Sequence, residues 1–423
     1  MQRLRFYVLL LAVCTIAAPA AARDIPLAAP ERAGMSAERL DRITEITQGY
    51  VDQGQLAGAI TMVARHGKLV HFEAVGARGA DDARPLQKDA LFRIYSMSKP
   101  ITAVAIMQLY EQGKFQLSDP VSKFVPELEE LTVLNASGEL EAATNPTMQQ
   151  LLTHTAGFSY GFNPDDPVDK LYRESAALGA EDLDGFVALL GELPLKYHPG
   201  TKWHYSVAVD VTGLIVERLS NQPFDEYLHD HIFEPLGMMD TFFSVPDDKF
   251  DRFLPNHRWD AKNAKLVTLG EQSVTSFQNV TMFSGGGGLV STAMDYLRFA
   301  EMLRNGGSLD GNRILGPKTI EFMTLNHLPS SISAGGSGEA PTLGSRSLNG
   351  FGFGLGFGLV TDVAASGVMG SAGEYSWGGA AGTIFWVDPV EDFVMVAMIQ
   401  LMGSPWSLRS DLKIAVNQAI VAD

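Results

Sequence analysis

Two apolar, partly β-branched runs, Ala57 to Ala64 (AGAITMVA) and Lys68 to Val75 (KLVHFEAV), are joined by Arg65-His66-Gly67 and predict a β-hairpin. The segment Met97 to Gln112 (MSKPITAVAIMQLYEQ) is apolar on nearly every side at its middle. A helix of that kind must be buried, and Gly113 is placed to cap its C-terminus. From about residue 119 to 236 the rhythm changes. TMQQLLTHTAG, LDGFVALLGEL, VAVDVTGLIVERLS and PFDEYLHDHIFEPLG read as helices punctuated by Pro and Gly, and Thr147 with Gln150 spells a capping box. FSGGGGLVSTAMDYLRFAEML then predicts a glycine loop followed by an amphipathic helix. After a Gly- and Ser-rich stretch that starts at Ser333, GFGFGLGFGLV predicts one glycine-bearing strand. GTIFWVDP and DFVMVAMIQLM predict two closing strands, and a helix is expected from about residue 406 to 421. The whole reads as an α/β (α+β) protein in which a mainly helical unit is inserted into a sheet.

With 423 residues, 46% of them apolar, the chain can bury a large core as one domain or two joined ones. Arg3 and Arg5 precede an apolar run from Phe6 to Ala18 that ends in Ala20-Ala21-Ala22, the pattern of an export signal over residues 1–22. The run is too short to span a bilayer comfortably. The only cysteine, Cys14, lies inside it, so the mature chain would carry no thiol. Val13 is bulky where a lipoprotein signal has a small residue, which argues against an anchor at Cys14. These features predict an exported protein of the bacterial periplasm or medium, with no stable membrane anchor after cleavage. Losing Arg3 and Arg5 takes the formal charge from −17 to −19, which argues against nucleic acid and anionic lipid as partners.

The pentapeptide GFSYG, Gly157 to Gly161, matches G-x-S-x-G, and its serine tempts as a nucleophile. A nucleophile elbow needs a strand before the serine and a helix after it. Here the capping box makes the preceding segment a helix, with Gly157 as the expected C-cap, and FNPDDP follows. The last histidine is His327, early for a triad that runs Ser, acid, His. His154 reads as a structural hydrogen-bonding residue, and His229 with His231, two apart on a helical stretch, as surface residues.

Ser96-Met97-Ser98-Lys99 offers a better nucleophile, because residues three apart on a helix share a face and bring a serine hydroxyl and a lysine amine into reach. A serine needs an adjacent base, and an amine entering an apolar helix loses hydration and so loses its preference for the charged form. A helix N-terminus adds free backbone N–H groups beside the attacking oxygen. Pro100 biases Lys99 away from the α region, so the first turn is expected to be irregular.

Further motifs accompany this one. Trp203-His204-Tyr205-Ser206 follows Pro199-Gly200, and Trp377-Gly378-Gly379-Ala380 leads into GTIFWVDP. With LLTHTAG, HPGTKWHYS and GGGGLVSTAMDYLRF, this set resembles the serine β-lactamases of class C, the penicillin-binding DD-peptidases and, most closely, the family VIII carboxylesterases, from roughly Arg32 to the C-terminus. The resemblance implies a β-lactamase-like fold, with a discontinuous sheet domain (23–118 and 285–423), a helical subdomain (119–284) and a site in the cleft between them. It implies Ser96 as the acylated nucleophile, Lys99 as its proton-accepting neighbour and Tyr205 as general base or relay. The backbone N–H groups of Ser96 and of Ala380, the residue after Trp377-Gly378-Gly379 on the edge strand of the sheet, would form the oxyanion hole.

Two departures bear on substrate. Val207 stands at the third position of Y-x-N and offers no amide. Trp377 stands where K-T-G has a lysine, so Trp377-Gly378-Gly379 gives a substrate carboxylate neither cation nor hydroxyl. An uncharged ester loses nothing by these changes, and short acyl esters are the expected small-molecule substrates. Phe158, Tyr160, Phe162, Tyr375 and Trp377 are the candidates to line an acyl pocket. No metal or organic cofactor is implied. A β-lactamase, a peptidase or transacylase acting on D-residues, and a non-catalytic binding protein remain as alternatives.

Overall fold

The computed structural model describes residues 25–270, 276–332 and 349–422. The expected export signal and most of the Gly- and Ser-rich stretch from Ser333 lie outside the described residues.

The predicted hairpin forms as β1 (Gly58–Arg65) and β2 (Lys68–Gly79), continued by β3 (Asp82–Pro85). Five C-terminal strands join it: β4 (Phe351–Phe353), β5 (Gly358–Val360), β6 (Tyr375–Gly378), β7 (Ile384–Asp388) and β8 (Phe393–Met398). They make one eight-stranded sheet in the order β4-β5-β6-β7-β8-β1-β2-β3. Every pairing is antiparallel, and the two ends of the chain meet at β1–β8, where Ile60 faces Met398 and Arg65 faces Phe393.

Successive side chains of a strand point to opposite faces. Both faces of this sheet are covered, which explains why β1 and β8 are apolar at nearly every position. Ile60, Met62, Val394 and Val396 belong to the main core, and Val63, Trp386, Met395 and Ala397 to a second core. In that second core they meet Leu40 and Ile43 of α1 (Ala37–Asp52), together with Leu412 and Val416, which lie near the C-terminus. The main core holds α2 (Ser98–Glu111), buried without a break from Ser98 to Met107. It also holds apolar residues of α3 (Met148–Leu152), α4 (Ala208–Ser220), and α5 (Ala293–Arg304). Leu412 and Val416 sit on α6 (Leu408–Asn417). Among the described residues no helix is long and apolar enough to cross a membrane.

Three expectations need correction. GFGFGLGFGLV is not one strand: it breaks between β4 and β5, where Gly356 takes φ 94° and a Cβ there would lie 2.4 Å from the Ala103 Cβ of α2. Gly157 does not cap α3. The capping box of Thr147 and Gln150 is formed, yet the helix stops at Leu152, where the Thr153 hydroxyl donates back to the Gln149 carbonyl at 2.8 Å and His154 turns left-handed. Glycine is needed at 157 for another reason, since its φ is 92° and a Cβ would sit 2.0 Å from the Tyr197 carbonyl oxygen. Finally, the strand carrying Trp377 is not at the sheet edge but third from it. β5 pairs with it at Tyr375 and Ser376, and that ladder stops before Trp377–Gly378.

Candidate active site

Ser96 lies in a single 3₁₀ turn, Tyr95–Met97, directly ahead of α2. The irregularity expected from Pro100 is not in the first turn of α2, where Ser98 to Pro100 are already α-helical, but ahead of it. Tyr95 has φ 44°, an uncommon conformation for a bulky residue, and its hydroxyl accepts from Asn256 Nδ2 at 2.9 Å. Strain of the sort expected of a nucleophile elbow therefore sits next to Ser96.

Two side chains converge on the Ser96 hydroxyl. Lys99 Nζ donates to Ser96 Oγ at 3.3 Å, and the Tyr205 hydroxyl donates to the same oxygen at 2.5 Å. The amine also donates to the Tyr160 hydroxyl at 2.9 Å and to the Gly286 carbonyl at 2.6 Å. Those three acceptors match the three donors of an ammonium group. The Tyr205 ring packs against His154, Tyr160 and Trp377, with centroids 4.9, 5.3 and 5.6 Å away. Lys99 Nζ stands 4.5 Å from that ring. Lys99 is buried, whereas Ser96, Tyr160 and Tyr205 are half-buried, so the cluster opens to solvent on the serine side.

The electrostatics follow from this burial. Loss of hydration pulls the Lys99 amine from 10.5 down to about 7, against the pull of Asp210, which favours its charge. Burial pushes the Tyr205 hydroxyl well above its usual 10.0. At neutral pH the amine therefore exchanges a proton readily and the phenol does not give one up easily.

Asp210, fully buried on α4, organises the amine's other partners. It accepts from Ser284 Oγ at 2.5 Å, from the Gly286 backbone N–H at 3.0 Å and from the Tyr160 hydroxyl at 3.3 Å. Gly286 has to be glycine here, because a Cβ would lie 2.4 Å from Asp210 Oδ2 and 2.6 Å from the Tyr160 hydroxyl. Sequence reasoning passed over Asp210 and Gly286. The available signal was a lone carboxylate in the otherwise apolar VAVDVTGLIV, which had to find polar partners if buried.

The other predicted residues fall in varied places. Val207 is buried at the N-cap of α4, with its N–H near the Ser159 carbonyl at 3.4 Å. Trp377 is nearly buried and faces Phe353 as well as Tyr205. Gly379 presses on the segment that leads into Ser96, since a Cβ there would come 2.3 Å from the Ile94 carbonyl oxygen, while Gly378 is half-buried and Ala380 exposed. Tyr375 is buried against Phe357. Of the GFSYG aromatics and their neighbour, Phe158 is fully buried in the core. Tyr160 contacts Lys99 through its hydroxyl, and Phe162, 59% exposed, stacks on Tyr160 at 5.1 Å.

Ser159 is buried and engaged. Its hydroxyl donates to Asp169 Oδ1 at 2.5 Å and lies 3.3 Å from His204 Nε2. Elsewhere, His229, Asp230 and Glu234 bring ligand-type atoms within 4.8 Å of one another, but all three are exposed.

A large antiparallel sheet covered on both faces by helices, with a serine at the head of the buried helix, defines the β-lactamase-like fold class. The Beta-lactamase family model matches residues 43–419, and the chain belongs to that family. It is 38% identical over 361 residues to Protein Rv1367c of Mycobacterium tuberculosis, covering 82% of this chain and 87% of that one. It is 29% identical over 402 residues to Esterase EstB of Burkholderia gladioli, covering 90% and 95%. Among solved structures, EstCE1, a hydrolase with promiscuous acyltransferase activity, superposes with a TM-score of 0.75 at 25% identity over 91% of this chain and 99% of that one. Simvastatin synthase (LovD) from Aspergillus terreus shares the fold with a TM-score of 0.78 at 23% identity, over 92% and 99%.

Proposed function

We propose that the protein is a carboxylesterase that cleaves short acyl esters through a covalent acyl-serine at Ser96. The observation that carries this reading is the convergence of Lys99 and Tyr205 on Ser96 Oγ in a site where Trp377, rather than a cation, stands on the neighbouring strand. The likeness to Esterase EstB and to the hydrolase EstCE1 supports it.

Ser96 Oγ attacks the ester carbonyl carbon, and its proton passes to the neutral Lys99 amine directly or through the Tyr205 hydroxyl. The oxyanion is received by the backbone N–H groups of Ser96 and Ala380. As the C–O bond breaks, the alcohol leaves with the proton returned from the same pair. Water then attacks the acyl-serine, loses its proton to Lys99, and releases the acid and Ser96. Removing one oxyanion donor from such a site costs about 10²–10³ in rate. On this reading residues 119–284 form one wall of the cleft, and the sheet domain (23–118 and 285–423) forms the other. Residues 1–22 direct export to the periplasm or the medium.

The test is mass spectrometry after a fluorophosphonate probe, which should label the peptide holding Ser96 and no other. Ser96→Ala should abolish ester turnover in a folded protein. Label elsewhere would overturn the assignment. Faster turnover of a chromogenic cephalosporin than of p-nitrophenyl butyrate would replace the esterase with a β-lactamase.

A further inference from the structure

Arg409 occupies the first turn of α6, beside the positive end of the helix dipole, an unfavourable place for a cation. What holds it is the turn after β6. Its Nη2 donates to the Gly379 carbonyl at 2.8 Å and to the Thr383 carbonyl at 3.1 Å. The guanidinium lies against Gly378 so closely that a Cβ on that residue would come 2.9 Å from its Cζ and both Nη atoms. Burial draws Arg409 down from 12.5 only to about 10, so it stays charged at neutral pH.

The two glycines of Trp377-Gly378-Gly379 therefore answer to different neighbours. Gly378 leaves room for the arginine, and Gly379 leaves room for the carbonyl of Ile94, two residues before Ser96, and for the Thr383 hydroxyl. The Gly379 carbonyl accepts a second hydrogen bond, from the Gly382 N–H at 3.0 Å, so both of its lone pairs are engaged. This carbonyl belongs to the same planar peptide as the N–H of Ala380. In a trans peptide the C=O and N–H point in opposite directions. Fixing the oxygen on Arg409 fixes the direction of the hydrogen, and drawing electron density toward that oxygen makes the N–H a stronger donor, as in any hydrogen-bonded chain.

We propose that Arg409 is a positioning residue for the oxyanion hole, orienting and polarising the Gly379–Ala380 peptide so that the Ala380 N–H meets the developing oxyanion. This rests on the esterase reading above. Arg409 bonds the Gly379 and Thr383 carbonyls, so it acts on the transition state and the acyl carbonyl rather than on proton transfer. Arg409→Gln should lower kcat by roughly 5- to 30-fold, less than the about 10²–10³ lost when a donor is removed outright. KM should stay within about twofold, because the unreacted ester gains little from the hole.

The measurement that separates this role from plain structural support is infrared spectroscopy of the acyl-enzyme formed from p-nitrophenyl butyrate carrying ¹³C at its carbonyl. A strong oxyanion hole pulls the ester carbonyl band to lower frequency. Arg409→Gln should move it up, and Arg409→Lys, which keeps a cation but not the planar fork, should leave it between the two. The Lys variant carries the same test if the Gln variant does not fold. A fall in rate with an unmoved band would overturn the proposal, as would an unchanged rate. If the unmodified protein neither shows an acyl band nor turns the ester over, the esterase reading itself falls, which is a distinguishable outcome.

Discussion

On the proposed mechanism, the coupling between Asp210 and Lys99 sets where on the pH scale ester turnover occurs. Lys99 must be neutral to accept the Ser96 proton, so kcat/KM should fall tenfold per pH unit below the amine's pKa, which burial places at about 7. Asp210 opposes that burial by favouring the charged amine. The two are linked through the Tyr160 hydroxyl, 2.9 Å from Nζ and 3.3 Å from Oδ2. Those legs limit their separation to about 6 Å, and at an effective dielectric of about 20 the attraction is roughly 3 kcal/mol, or about 2 pH units.

Asp210→Asn keeps the shape and an acceptor for Ser284 and Gly286 but removes the charge. The protonated amine loses support, its pKa falls, and the acid limb of the profile should move down by about 1–2 units. The assay is kcat/KM for p-nitrophenyl butyrate between pH 4.5 and 9, read at the isosbestic wavelength of nitrophenol. A limb shifted from about 7 to about 5 leaves roughly half the variant's amine neutral at pH 5, against about 1% without the substitution. The plateau itself can drop for geometric reasons, so the position of the limb, and not its height, carries the result. A limb that stays in place or moves upward would refute the reasoning: either Lys99 is not the titrating base or Asp210 does not feel it.

Two further outcomes follow from the loop that carries Tyr160. Ser159→Ala should leave Ser96 reactive toward a fluorophosphonate, yet cost about 1–3 kcal/mol of stability, because Asp169 and His204 lose a buried partner; thermal unfolding with and without the probe checks both parts. Phe162→Ala, at an exposed residue stacked on Tyr160, should change the ratio of kcat/KM between acetyl and hexanoyl esters while stability stays within about 0.5 kcal/mol, read from denaturant midpoints.

The parts of this architecture that were legible in the sequence are those with a local period. The hairpin shows as two apolar runs around Arg65-His66-Gly67, and α2 shows as a helix with no polar face, because each is fixed by neighbours a few residues away. Ser96 and Lys99 were readable because three residues on a helix make a contact. Asp210 reaches Ser284 and Gly286 across more than seventy residues, and Arg409 reaches Gly379 across thirty, with no pattern linking either pair. The break between β4 and β5 was hidden for a related reason: the turn at Gly356 is shaped by Ala103, which lies far away in the chain.

GFSYG shows why a motif without its contacts misleads. In a Ser-His-Asp triad the carboxylate binds the histidine and leaves the serine proton for the imidazole. Here the serine spends its proton on the carboxylate itself, with Ser159 Oγ 2.5 Å from Asp169. Burial raises Asp169, but hydrogen bonds from Lys196 and Ser159 outweigh it and hold the carboxyl below its ordinary range; His204 is drawn down to about 4, mainly by burial. Neither group is a strong base toward that hydroxyl. Lys196 Nζ closes the cluster at 2.8 Å from Asp169, and a buried ion pair of this kind is tolerable only when its remaining polar atoms are bonded, which is what Ser159 and the Asn163 N–H supply. Ser159 directly precedes Tyr160, and His204 directly precedes Tyr205. The polar cluster thus ties together, one residue behind the site, the two loops whose tyrosines contact Lys99 and Ser96. On the proposed mechanism, the serine of G-x-S-x-G bears on the chemistry by fixing where those two hydroxyls stand.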